Sequence, residues 1–443
     1  MERQTYFHSV TLNKELCHGC ITCVKRCPTE AIRVRDGKAR ILGERCIDCG
    51  ECIRICPHHA KRAVSDSMED LAGFRYKIAL PAPVLFSQIK HLDHTGRIVL
   101  ALKRIGFDEV YEVGAAAELI SQSTSEYIAH YQGPLPLISS ACPAVLRLIR
   151  VRFPDLLDHL LPLQPPVELA AVLARRAAVE KTGLKPEEIG VAFITPCPAK
   201  VTSAKVPLGN KTRNIDAAIA ISRVYPQLVQ EVKKMQPEEF MHLSRMGSTG
   251  ISWAANSGES IGSGQRRYIA ADGIENVIKI LEAIEDEQFS RLDFVELSAC
   301  PGGCVGGVMN VENPYAAAAR IKRLARDLPQ VGTRWETPNW LPEEVYFNKK
   351  IEPLNVMSLG GDPAHALETF ARLQSYERKF PGLDCGSCGS PTCHALAEDI
   401  VLGYRTEDDC IYLLKEKLEK LAQSLAGLSS HRTPMEDIEN DSE

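Results

Sequence analysis

Short apolar runs alternate with amphipathic stretches through the middle of the chain. Residues 135–139, 190–195 and 294–298 are too short for helices and apolar enough for strands buried on both faces. Residues 167–181 and 273–285 instead carry apolar side chains at three- and four-residue spacing, which predicts helices. The alternation predicts an α/β domain over residues 67–350. Residues 65–70 are charged and read as a linker, and the Gly/Ser-rich stretch 247–264 reads as a loop. A Pro-containing segment, 338–353, leads to a small C-terminal unit, 351–430, with a helix expected over 391–404. Beyond it Ile411, Leu414, Leu418, Leu421, Leu425 and Leu428 recur at alternating three- and four-residue intervals, a coiled-coil seam that would serve a homodimer. The seam is shorter than three heptads, so a helix packed on its own domain fits it equally. The polar, acidic stretch 431–443 is expected to be disordered.

Composition narrows the function. Of 443 residues, 44% are hydrophobic and 25% charged, as in ordinary globular proteins, and the net charge of -5 points away from a nucleic-acid partner. No apolar run approaches the ~18 residues of a membrane span. The start, Met1-Glu2-Arg3-Gln4, lacks an apolar signal core, so a cytoplasmic location is expected. The 16 cysteines change the picture most, because in a reducing compartment thiols at two-residue spacings read as metal ligands.

Eight of them form a repeat in residues 1–66. Cys17, Cys20, Cys23 and Cys27, followed by Pro28, match Cys46, Cys49, Cys52 and Cys56, followed by Pro57. Three closely spaced thiolates serve one cluster, and the fourth of each run reaches the other. Cys17, Cys20, Cys23 and Cys56 are thus assigned to one [4Fe–4S] cluster, and Cys46, Cys49, Cys52 and Cys27 to a second. Zinc is the alternative, though zinc knuckles rarely double this spacing. Near the C-terminus Cys385, Cys388, Cys393 and Cys410 offer four thiolates and no histidine, which favours another [4Fe–4S] cluster over zinc. The remaining four, Cys142, Cys197, Cys300 and Cys304, follow the three predicted strands, and ligands in open α/β sheets bind beyond strand carboxyl ends.

The N-terminal repeat resembles a bacterial two-cluster ferredoxin. The segments around Cys142-Pro143, Pro196-Cys197-Pro198 and Cys300-Pro301-Gly302-Gly303-Cys304, in this order, resemble the three signature motifs of [FeFe]-hydrogenases. The C-terminal spacing resembles the domain appended to sensory members of that family. The resemblance implies a two-lobed catalytic domain between a ferredoxin-like domain and a small Fe–S domain. It implies an H-cluster: a [4Fe–4S] subcluster on Cys142, Cys197, Cys300 and Cys304, with Cys304 bridging to a di-iron subcluster that carries CO, CN⁻ and an azadithiolate. Lys200 matches the lysine that hydrogen-bonds a cyanide. Gly302, Gly303, Gly306 and Gly307 are expected to let backbone approach the cluster.

Several positions depart from the family pattern. Ala141 stands where catalytic members carry a proton-relaying cysteine, and Thr195 and Ser298 replace two methionines beside the di-iron unit. Ser203 replaces a glutamate, Val308 interrupts a glycine run, and Gln122 and Ser123 fall near two proton-path glutamates. The implied activity is slow, reversible H2 oxidation in a sensory protein. H2 and protons are the implied substrates, a redox protein such as ferredoxin and a signalling partner the implied partners. An iron–sulfur assembly factor, or an electron-transfer subunit of the same fold without the di-iron unit, is the rival reading.

Overall fold

In a computed structural model the protein is described at residues 7–331, 343–356 and 363–429. The expected disordered tail and residues 338–342 of the Pro-containing segment lie outside these. Against the boundaries expected at residues 66 and 350, the compact units are discontinuous. One comprises Met1–His18, Arg26–Ala31 and Ile41–Val356; the other comprises Gly19–Lys25, Ile32–Arg40 and Met357–Glu443.

The strands in chain order are β1 (Val10–Leu12), β2 (Ile32–Arg35), β3 (Lys38–Ile41), β4 (Lys61–Ala63), β5 (Tyr76–Pro81) and β6 (Glu109–Val110). They continue with β7 (Leu137–Ile138), β8 (Ile189–Thr195), β9 (Ala217–Ala220), β10 (Tyr268–Asp272) and β11 (Phe294–Ser298). In the larger unit β1 and β4 pair antiparallel, Val10 opposite Ala63. Two parallel sheets follow, ordered β6-β5-β8-β9 and β10-β11-β7. Each sheet has its own apolar cluster. Ile78, Leu80, Phe86, Leu102 and Phe193 pack around the first, and Ile47, Ile138, Val277, Leu281 and Val295 around the second. All seven residues of β8 are buried, as its unbroken apolar run requires. The helices at Pro166–Thr182 and Ile274–Glu285 fall where the periodicity places them.

Two expectations fail here. Residues 247–264 hold helices at Ser248–Ser252 and Gly258–Gly262 rather than a loop. Their small residues permit close packing: a Cβ on Gly250 would stand 2.3 Å from the Gly114 carbonyl oxygen. Residues 65–70 are not a free linker either. Asp66 accepts the Ala218 N–H at 2.8 Å and pairs with Lys205 at 2.5 Å, and a 3-10 turn runs over Met68–Leu71.

In the smaller unit β2 and β3 form a hairpin turned by Asp36 and Gly37, both with positive φ as a tight hairpin demands. The hairpin lies against the C-terminal segment. Val34 N–H donates to the Gly389 carbonyl at 2.7 Å, and Gly389 has φ +81° and no room for a Cβ, which would meet Val34 O at 2.3 Å. Arg33 and Arg35 both pair with the buried Asp399, at 2.9 and 2.5 Å. Helices follow at Pro363–Lys379, Cys393–Val401 and Ile411–Ser429.

Candidate metal centres

β7 and β11 belong to one sheet and β8 to the other, yet their carboxyl ends meet in one cleft. The local sequence explains how. Cys142 and Cys197 each end an extended segment, cap a helix, and are followed by Pro at its first position, where the missing N–H is no loss. Their thiols thus sit at the positive ends of helices Pro143–Arg152 and Pro198–Lys205. After β11 the chain turns through Gly302 and a 3-10 helix at Gly303–Gly306, where Asn310 Nδ2 donates to the carbonyls of Cys304 and Val305 at 2.9 and 3.0 Å. Glycines 303, 306 and 307 serve chain-on-chain packing. A Cβ on Gly306 would lie 2.1 Å from Pro301 O, and one on Gly307 2.5 Å from Pro196 O.

Cys142, Cys197, Cys300, Cys304, Lys200, Ala141 and Ser298 all line the cleft. Thr195 does not: it is wholly buried, and its hydroxyl exchanges bonds with the Cys197 backbone at 3.3 and 3.4 Å. Burial, then the neighbouring thiols, pushes the Cys197 thiol far up; burial pushes Cys300 up to about 12, against the pull of Arg54. Four sulfurs on one cleft, two of them buried thiols that resist ionising alone, are a donor set that a cationic iron cluster satisfies, since metal takes the place of the protons. Burial works against the charge of Lys200, but Cys304, Cys197, Cys142 and Cys300 outweigh it and hold its pKa above that of an ordinary lysine.

The same cleft holds two acids that the sequence reading did not single out. Glu259 and Glu296 are both buried and line its wall. Ser139 Oγ donates to Glu259 at 2.6 Å and accepts the Ala141 N–H at 3.2 Å, while Glu296 accepts from the Ser260 N–H and hydroxyl at 2.9 and 2.8 Å. Burial, then the nearby Glu296, raises the Glu259 carboxyl to about 8. A charged residue inside the apolar run of β11 was the available signal for Glu296. Gln122 and Ser123 do not line the cleft. Gln122 donates to Glu126 at 3.0 Å on an exposed face, and Ser123 bonds the Leu119 carbonyl at 2.9 Å.

A second thiol group lies in the same unit. Burial raises the pKa values of Cys27, Cys46 and Cys49, and both Cys46 and Cys49 feel the charge of Cys27. Cys49 also feels Cys52 and Cys300, so this group adjoins the cleft. In the smaller unit Cys385, Cys388, Cys393 and Cys410 line one cavity together, as their spacing predicts. Cys17 and Cys56 belong to the larger unit, Cys20 and Cys23 to the smaller.

Residues 75–261 and 220–308 match the family model "Iron only hydrogenase large subunit, C-terminal domain". Residues 9–57 match a 4Fe-4S dicluster domain, and 380–412 an Fe-S cluster model. Iron hydrogenase 1 of Clostridium pasteurianum is 25% identical over 373 residues, covering 68% of this chain and 64% of that protein. The NADP-reducing hydrogenase subunit HndD of Solidesulfovibrio fructosivorans is 25% identical, over 48% of this chain and 45% of that one. The chain thus spans about half to two thirds of these two relatives. Cytosolic iron-sulfur assembly component 3 of Bos taurus is 20% identical over 58% of this chain and 66% of that protein. A solved variant of [FeFe]-hydrogenase HydA1 from Chlamydomonas reinhardtii shares the fold, with a TM-score of 0.50 at 16% identity over 66% of this chain and all of that one.

Proposed function

Because the chain belongs to the [FeFe]-hydrogenase family, we propose that it catalyses H2 ⇌ 2H⁺ + 2e⁻ slowly, in a sensory role in the cytoplasm. The observation that carries this reading is the meeting of Cys142, Cys197, Cys300, Cys304 and Lys200 on one cleft wall with open space beside them. The four cysteines would hold the cubane of an H-cluster, and Cys304 would also hold its di-iron unit. When bound, that group supplies the splitting of H2 into protons and electrons. Lys200 donates from its ammonium to an anionic ligand in the cleft. Glu259 takes up or releases protons at its carboxyl, beside the methyl group of Ala141, which has none to give. Ser298 lines the space next to them, and Thr195 supports the Cys197 turn.

Cys27, Cys46, Cys49 and Cys52 would hold one cubane and Cys17, Cys20, Cys23 and Cys56 another, and these would supply an electron path to a redox protein such as ferredoxin. Cys385, Cys388, Cys393 and Cys410 would hold a further cubane, which would supply another exit or a redox state that a signalling partner reads. The tail helix brings two copies together. The test is infrared spectroscopy with iron analysis on matured protein. CO and CN⁻ bands with about eighteen irons per chain are expected, from four cubanes and one di-iron unit. A full set of cubanes with no such bands would instead support the electron-transfer or assembly-factor reading, which the likeness to the bovine assembly component keeps in view.

A further inference from the structure

Arg54 takes no part in the assignments above, yet it joins two of the metal centres. It ends the short helix Glu51–Arg54, which carries Cys52 and follows Cys49. That loop approaches the third motif closely: Gly50 has φ +79°, and a Cβ there would stand 2.8 Å from the Val308 side chain. From the loop Arg54 Nη2 donates to the Gly306 carbonyl at 2.8 Å, and Nη1 pairs with Glu51 at 2.5 Å. The guanidinium also lies near Cys300, close enough for its charge to oppose the burial that raises that thiol. Its side chain is 27% exposed and that of Glu51 10%, so water screens this charge only in part. Cluster potentials respond to N–H···S bonds and to nearby charge, because both favour the more negative, reduced state.

We propose that Arg54, acting from the N-terminal cluster loop, holds up the reduction potential of the cubane ligated by Cys300. The proposal rests on the assignment of Cys142, Cys197, Cys300 and Cys304 to one cubane. Arg54 is a positioning and tuning residue; it acts through the Gly306 loop and its charge, and does not touch the substrate. Its planar fork holds Gly306 and Glu51 at once while keeping its charge near Cys300, which lysine cannot reproduce. If Arg54 only tethered the two loops, its loss would weaken cluster retention and leave the potential unmoved.

The test is a redox titration of the full-length holoprotein followed by electron paramagnetic resonance, using the signal that disappears in Cys142→Ser. Arg54→Gln is expected to lower the reduced-to-oxidised ratio at the wild-type midpoint about tenfold, a downward shift of about 59 mV for a one-electron couple. Arg54→Lys should move it in the same direction by less than half as much. Glu51→Gln removes the counter-charge and should move the midpoint upward. If Arg54→Gln does not retain its clusters, the Lys and Glu51 variants carry the test. An unmoved midpoint in the Arg54 variants, or shifts of the same sign for Arg54→Lys and Glu51→Gln, overturns the role. A wild type with no Cys142-dependent signal overturns the cubane assignment and this role with it.

Discussion

At position 141 a methyl group faces the cleft, and the carboxyl of Glu259 reaches the same corner through Ser139. A positioned acid–base group is typically worth roughly 10²–10⁴-fold in rate. Glu259→Gln should therefore lower H2 uptake with an artificial acceptor towards that range, and Ala141→Cys should raise uptake by less. Below pH 8 Glu259 keeps its proton and above it becomes an acceptor, so wild-type uptake should rise through about pH 8 and the Gln variant should not follow. Equal profiles would remove Glu259 from the proton path. Glu168 makes a separate prediction. Burial lifts it from an ordinary 4.5 to about 7, opposed by bonds from Asn214 and Asn210. Its folded pKa lies above its unfolded one, so stability is full below about pH 4.5 and is lost as pH rises to 7. Glu168→Gln should be relatively more stable at pH 8 than at pH 5, by on the order of 3 kcal/mol, read as a growing gap in unfolding midpoint. A gap that does not change with pH would show that Glu168 does not titrate. Twelve of the cysteines could be read from their spacing, and Cys142, Cys197, Cys300 and Cys304 from the apolar runs they follow. Glu259 could not, because it stands in a stretch whose glycines and serines masked a helix.

The repeated element of strand, cysteine, proline and helix made the cleft legible in the sequence: β8 and β11 fall on their apolar runs, and Cys142 and Cys197 on helix caps. What the pattern could not disclose is that two sheets, not one, deliver these ends, since pairing between distant strands leaves no local trace. The tail helix carries the seam in the open. Leu418 and Leu421 are each 59% exposed and Leu425 60%, so the alternative of packing this face on its own domain is not what the described residues show. A charged side chain in a buried seam is costly. Leu418→Lys with Leu421→Lys should thus convert a dimer to a monomer in sedimentation, with cluster absorbance unchanged. A wild type that sediments as a monomer would end the self-association proposal.

Across the whole molecule the C-terminal segment completes the N-terminal one. Arg33 is 3% exposed and pairs with Asp399, and Lys25 Nζ donates to the carbonyls of Asp384 and Pro391 at 2.5 and 2.9 Å. Ending the chain after Val356 would strand a buried arginine, and breaking such a pair costs about 3–5 kcal/mol. The hairpin and the adjoining loop with Cys20 and Cys23 should lose order together. Truncated protein is then expected to lose about eight irons, two clusters' worth, rather than about four. A loss of four would show that the hairpin stands alone.

The discontinuous unit also imposes a timetable. Residues 19–40 leave the ribosome more than three hundred residues before their packing partners around Gly389 and Asp399. At synthesis rates of about 5–20 residues per second the delay is roughly 18–73 s. Throughout it Cys20 and Cys23 wait on an incomplete scaffold, open to oxygen and to stray metal. Iron delivery to Cys20 and Cys23 therefore belongs after residues 389–399 have been made, although these two ligands emerge more than three hundred residues earlier.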